Sequence, residues 1–230
     1  MQNAVVAHED WLAARRDLLQ KEKELTHLRD RVTSERLALP WERIEKDYVF
    51  DTLDGPRSLA GLFEGRSQLV VQHFMLAPGW KEGCPSCSFM ADHTDGMNLH
   101  LANHDVTMIA VSRAPLADIE RYRKRMGWTF GWVSSFGSDF NFDFRVSFTP
   151  EEVASGHIDY NFGGWNMTGE EWPGVSAFIK NEAGEVFRTY STYGRGVEVM
   201  MGTYAMLDLT PKGRNEARGM DWVRRHDRYE

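Results

Sequence analysis

Apolar residues recur along the first forty positions at a spacing that a helix would gather on one side. Trp11, Leu18, Leu25 and Val32 stand seven apart, and Leu28 falls beside them. From about His8 to Leu37 the remaining positions are rich in Arg, Lys and Glu, with no Gly or Pro. The pattern predicts one long amphipathic helix with a narrow apolar stripe, capped near Asp10 and ended by Pro40. The stripe can pack on the chain's own globular body or pair with a second copy of the chain. The charged positions one turn apart form a solvated face either way.

Beyond Pro40 the pattern changes. Asp47–Phe50 reads as a short strand, Asp54-Gly55 as a tight turn and Ser58–Phe63 as a short helical turn. Ser67–Leu76 is dense in β-branched and apolar residues, as expected of a central strand buried on both faces. A loop follows, Ala77–Gly83, and then a helix from Pro85 to about Ala102. Asp105–Ser112 predicts a second buried strand. Pro115–Met126 predicts a helix with Leu116, Ile119, Tyr122 and Met126 on one face and Gly127 as its cap. Trp128–Val133 predicts a third strand. Strands alternating with helices imply parallel pairing through right-handed crossovers.

Ser134–Trp172 holds nine aromatic residues among Gly, Ser, Asn and Asp, with no clean period. So long an irregular segment is functional or interfacial, and here it can serve as insertion core, lid or subunit interface. After Pro173, Gly174–Lys180 and Glu185–Ser191 flank a turn at Asn181–Gly184, which is a hairpin signal. A helical stretch runs from about Gly196 to Leu207, and a charged tail over 222–230 closes the sequence. The expected organisation is a helical extension (1–40), an α/β domain with a central mixed sheet flanked by helices (41–210, insertion about 134–172) and a C-terminal tail (211–230).

Composition narrows the function classes. A chain 42% hydrophobic and 12% aromatic can build a sizeable core. Its net charge of −7 repels phosphate backbones and disfavours a nucleic-acid partner. No run of about 20 apolar residues predicts a membrane span. The first ten residues lack the basic-then-apolar order of a secretory signal, so the expected compartment is the cytoplasm.

Two cysteines are present, Cys84 and Cys87, three apart. A reducing compartment keeps such a pair from acting as a staple, and so short a loop would stabilise the fold little. A structural zinc site needs four ligands, and no second pair exists, while His93, His100 and His104 lack finger-like spacing. His73 reads as a hydrogen-bonded interior residue. The pair follows a buried strand and opens a helix, where unpaired N–H groups and the helix dipole favour a thiolate at Cys84. Dithiols so placed have pKa values of about 7 or lower instead of ~8.5, a difference of about 2 kcal/mol. Cys87, one turn on, can attack a mixed disulfide formed at Cys84. Pro85 suits a first helical position because the missing N–H has no intrahelical partner. Trp80 and Lys81 are expected to flank the substrate groove, and Lys81 to favour the thiolate. The readings are a thiol–disulfide oxidoreductase, a thiol peroxidase, a non-catalytic binding or scaffold protein, and a zinc protein. The first needs no bound cofactor and takes a protein or small-molecule thiol or disulfide as partner.

The motifs E-K-D-Y-V-F (Glu45–Phe50), E-G-C-P-S-C-S-F (Glu82–Phe89), V-S-R-A-P-L (Val111–Leu116), S-S-F-G-S-D-F-N (Ser134–Asn141) and T-Y-S-T-Y (Thr189–Tyr193) span nearly the whole chain. In them the sequence resembles the uncharacterised bacterial thioredoxin-like family known as domain of unknown function 899. The resemblance implies a thioredoxin-like fold near the peroxiredoxin branch and no established activity. In thioredoxin-fold proteins a cis-proline before a late strand lies beside the dithiol, which makes Trp172-Pro173 the candidate, with Pro173 shaping the groove. Two departures stand out. Gly83 precedes Cys84 where thioredoxins carry Trp, with Pro85-Ser86 in place of Gly-Pro between the cysteines. Lys81 occupies the place of the peroxiredoxin Thr three residues before the cysteine, so the hydroxyl that orients a peroxide is missing.

Overall fold

The computed structural model describes residues 3–166 and 168–230. The chain divides into two compact units, one ending at Pro40 and the other spanning Trp41–Glu230.

The first unit is the predicted helix, α1 (His8–Leu37), about 45 Å long at 1.5 Å per residue. Its N-cap position is Ala7 instead of Asp10. Glu9 and Asp10 sit inside the first turn, where acidic charge meets the positive end of the helix dipole.

The second unit opens with β1 (Glu42–Arg43), then a hairpin of β2 (Val49–Thr52) and β3 (Gly55–Ser58). Gly55 takes φ +100° at its turn, a conformation that other residues adopt only with strain. A 3₁₀ turn (Ala60–Phe63) leads to β4 (Gln68–His73). The chain continues through α2 (Pro85–Ala91), α3 (Thr94–Asn103), β5 (Val106–Ser112), α4 (Leu116–Met126) and β6 (Gly131–Ser134). The predicted strand–helix alternation holds, with β4, β5 and β6 neighbouring and parallel. Gly127 ends α4 at φ +68°, the left-handed cap that its position suggested.

The helix expected over 85–102 is divided at Asp92 and His93. Asp92 accepts from Trp128 Nε1 (2.8 Å). His93 Nδ1 donates to the Phe89 carbonyl (2.8 Å), which leaves Nε2 to accept from the Thr203 N–H (3.1 Å). Both junction residues are thus held by partners elsewhere in the chain, which no local periodicity reports.

The irregular stretch folds into α5 (Phe140–Asp143), α6 (Pro150–Ala154) and a small hairpin of β7 (Ile158–Tyr160) and β8 (Gly163–Trp165). The α6 start is a capping box in which Thr149 and Glu152 satisfy each other's backbone N–H. β9 (Gly174–Lys180) and β10 (Val186–Tyr193) form the predicted hairpin. A 3₁₀ segment (Gly194–Met200) and α7 (Gly202–Leu207) follow.

The main sheet runs β1-β10-β9-β4-β5-β6-β2-β3. β4 lies at its centre, parallel to β5 on one side and antiparallel to β9 on the other. This is the mixed sheet of a thioredoxin-like fold, and β4 is the strand that feeds the dithiol.

Phe140, Phe144, Phe148 and Tyr160 of the aromatic stretch are buried with Phe50, Leu69, Val71 and Phe178 of the sheet. Each such side chain stabilises by about 1.5–3 kcal/mol through burial, so these four aromatics serve as core. A second cluster joins Phe74, Cys87, Tyr122, Trp128 and Trp132, and a third joins Phe89, Met90, Val197, Tyr204 and Val223. Val223 brings the charged C-terminal stretch into the core. Among the described residues no helix is long and apolar enough to cross a membrane.

Candidate functional site

The loop after β4 closes back on itself before the dithiol. The Cys84 N–H donates to the Met75 carbonyl (3.1 Å), and the Cys84 carbonyl accepts from Ser88 N (2.9 Å) and Ser88 Oγ (2.8 Å). Gln72 Nε2 holds the Cys87 carbonyl (3.2 Å). Cys84 is therefore the N-cap residue of α2 and Pro85 its first helical residue, as the sequence suggested.

Gly83 explains one departure from thioredoxin. A Cβ there would lie 2.5 Å from Phe74 Cε1 and 2.8 Å from Tyr122 Cε1. The rings of β4's extension and α4 occupy the space that any side chain would need. A tryptophan before the first cysteine has no room.

Both thiols are free, Cys84 half-buried and Cys87 buried. The Cys84 pKa falls to about 6, first because the Cys87 thiol donates to its sulfur, then because the Cys87 and Ser86 N–H groups do so. The positive Arg225 adds to this, and burial opposes it. The Cys87 thiol moves the other way, well above its ordinary value, because it is the donor in that bond and is buried. A charge-assisted hydrogen bond stabilises the thiolate by about 1.5–3 kcal/mol, enough to outweigh partial burial. The acid thiol therefore depends more on its partner cysteine than on the dipole of a seven-residue helix.

The nearby cation is Arg225. Its Nη2 and Nε donate to the Gly83 carbonyl (2.6 and 3.0 Å), and Nε also reaches the Tyr122 hydroxyl (3.1 Å). Glu82 anchors the same guanidinium (3.0 Å) and also pairs with Arg125. Lys81, expected to favour the thiolate, is exposed and does not line the site. Trp80 packs against the cluster around Phe74 and Cys87 instead of flanking the groove. Pro173 does line the same cleft as the two cysteines, but Trp172-Pro173 is trans, since no described peptide bond is cis. Trans is the ordinary state of an X-Pro bond, and the Pro173 carbonyl is fixed here by the Tyr160 hydroxyl (2.7 Å).

The cleft measures about 970 Å³. Cys84 and Cys87 share it with Met75, Tyr160, Trp165 and Trp172, so part of its lining comes from the aromatic stretch. Nothing in the periodicity of 134–172 announced this. Behind Trp172, Glu171 is buried, bonded by Arg113 Nε (2.6 Å) and Ser147 Oγ (3.0 Å). Burial pushes its carboxyl up to about 7 against the pull of Arg113. His73 is interior, as expected. Its Nε2 meets Ser176 Oγ at 2.9 Å, and burial lowers its pKa to about 3. Among the described residues no three His, Cys, Asp or Glu side chains gather as a metal site.

Similar folds occur among peroxiredoxins. A cysteine-to-serine mutant of Xylella fastidiosa PrxQ is 12% identical, with a TM-score of 0.43, over 69% of this chain and 88% of its own. The mitochondrial 2-Cys peroxiredoxin of Plasmodium falciparum is 13% identical, with a TM-score of 0.44, over 77% and 98%. A mutant of Arenicola marina peroxiredoxin 6 is 12% identical, with a TM-score of 0.45, over 76% of each chain. No curated protein matches the sequence. The model of the family described as "Bacterial protein of unknown function (DUF899)" matches residues 1–229, and the chain belongs to that family.

Proposed function

We propose that this protein is a thiol–disulfide oxidoreductase, with Cys84 the attacking thiolate and Cys87 the resolving thiol. The observation that carries the reading is the split of the pair. One half-buried thiol is acidic because its buried neighbour, held protonated, donates to it. At neutral pH a thiol of pKa about 6 is mostly thiolate, whereas one near ~8.5 is a few per cent so.

Cys84 Sγ attacks one sulfur of a disulfide, the far sulfur leaves as a thiolate and takes a proton, and a mixed disulfide remains. That bond removes the Cys84 charge, and with it the chief cause that keeps Cys87 protonated. Cys87 then loses its proton to solvent, attacks Cys84 Sγ and expels the second thiolate. The substrate gains two electrons, the protein gains one disulfide, and an external dithiol returns it to the reduced state. Electrons pass only between sulfurs, which suits a reducing compartment such as the cytoplasm.

A redox titration with a thiolate pKa measurement tests this. The expected result is a reversible Cys84–Cys87 disulfide and a Cys84 pKa near 6. A pKa at or above ~8.5 together with no intramolecular disulfide would sink it. Oxidation of the reduced protein by hydrogen peroxide far above the free-thiol rate would move the assignment to a peroxidase.

A further inference from the structure

We infer that the substrate is a small, uncharged disulfide flanked by apolar groups, bound inside the cleft, and neither a folded protein nor a charged peptide disulfide. The inference rests on the exchange reading above and adds the substrate class to it. A cleft of about 970 Å³ matches the ~300–1,000 Å³ of sites that enclose one small molecule. Met90, Met201 and Met220 line it together with Tyr160, Trp165 and Trp172. Thioether chains adapt to varied apolar shapes, and the ring systems offer flat faces for stacking. Tyr160 and Trp165 meet edge to face at 5.4 Å, which fixes one wall.

The charges at the cleft exclude the common alternative. Two basic residues, Arg195 and Arg214, and three acidic ones, Glu198, Asp208 and Glu216, line it. Arg214 is engaged by Asp208 (2.8 Å) and Glu198 (3.2 Å), and Arg195 by Glu198 (2.9 Å). Glu216 accepts from the Tyr204 hydroxyl and the Met220 N–H (both 2.9 Å). Both lining cations pair with carboxylates of the same cleft and acidic residues are in excess there, so the carboxylates of glutathione disulfide meet net negative charge. Access matters equally. Cys84 lines a cleft shared with residues of β7–β8 and of the segments after β10, and a folded protein's disulfide would have to reach it past them.

Stopped-flow oxidation of the reduced protein by dibenzyl disulfide, glutathione disulfide and insulin tests this, each rate divided by that of dithiothreitol with the same disulfide. The expected normalised rate for dibenzyl disulfide exceeds the other two by about a hundredfold, the discrimination given by roughly 100 Å² of extra apolar burial. Trp165→Ala, at a site 36% exposed and so tolerant of truncation, should lower that preference about tenfold. Equal rates, or faster exchange with glutathione disulfide or insulin, would overturn the substrate class while leaving exchange intact. Failure with all three would overturn both.

Discussion

Replacing Cys87 by alanine removes the donor that most lowers the Cys84 pKa and leaves the rest of the loop in place. A hydrogen bond to a charged acceptor stabilises it by about 1.5–3 kcal/mol, and each pKa unit corresponds to about 1.36 kcal/mol. The variant should therefore titrate about one to two units higher, moving from about 6 to about 7–8. At pH 7 the thiolate fraction would fall from about nine-tenths to between one-half and one-tenth. Iodoacetamide alkylation of Cys84, followed by mass spectrometry across pH, reads this midpoint directly. Cys87→Ser keeps a hydroxyl donor at nearly the same place and should stay within about half a unit of the parent, with the parent's own midpoint taken from ultraviolet thiolate absorbance. If both variants titrate near 6, the N–H groups and Arg225 hold the thiolate without Cys87, and the reasoning is wrong.

Arg225→Ala should raise the same midpoint by less than about one unit, because the guanidinium ranks below the hydrogen bonds among the causes. An unchanged profile would deny it any part in the site. Glu171 carries the clearest pH signature of stability. Its folded pKa of about 7 lies above the ordinary 4.5, so the fold binds that proton more tightly than the unfolded chain does. Its contribution is complete below about 4.5 and is lost as pH rises through about 7, on the order of 3 kcal/mol. Thermal unfolding of Glu171→Gln should show a flatter fall in Tm over that window, and an identical slope would refute the assignment.

The centre of the fold was legible because it obeys local periodicity. Ser67–Leu76 carries the composition of a strand buried on both faces, and Pro115–Met126 repeats every turn and ends in a left-handed glycine. The dithiol at the start of α2 could be placed from that order, and Pro173 ahead of β9 from the resemblance to thioredoxin-fold proteins. What escaped was whatever depends on distant partners. Arg225 belongs to a stretch that reads as a charged tail, yet it bonds a carbonyl 142 positions away. Asp92 and His93 divide a helix through contacts with Trp128 and Thr203. The aromatic stretch gave no period because its residues serve two purposes, with Phe140 and Phe148 in the core and Trp165 and Trp172 on the cleft. The trans bond at Pro173 lay beyond pattern as well, since topological place does not fix an isomer.

The reach of Arg225 to Gly83 bears on how the protein acquires its chemistry during folding. Contacts of such separation close large loops, whose closure costs more chain entropy than that of local helices. Before this contact closes, Cys84 already has its local donors at Cys87 and Ser86 and lacks only the smaller share that Arg225 adds. Nucleophilic reactivity during refolding would thus rise mainly as α2 forms, with a smaller final increment marking the docking of the C-terminal segment.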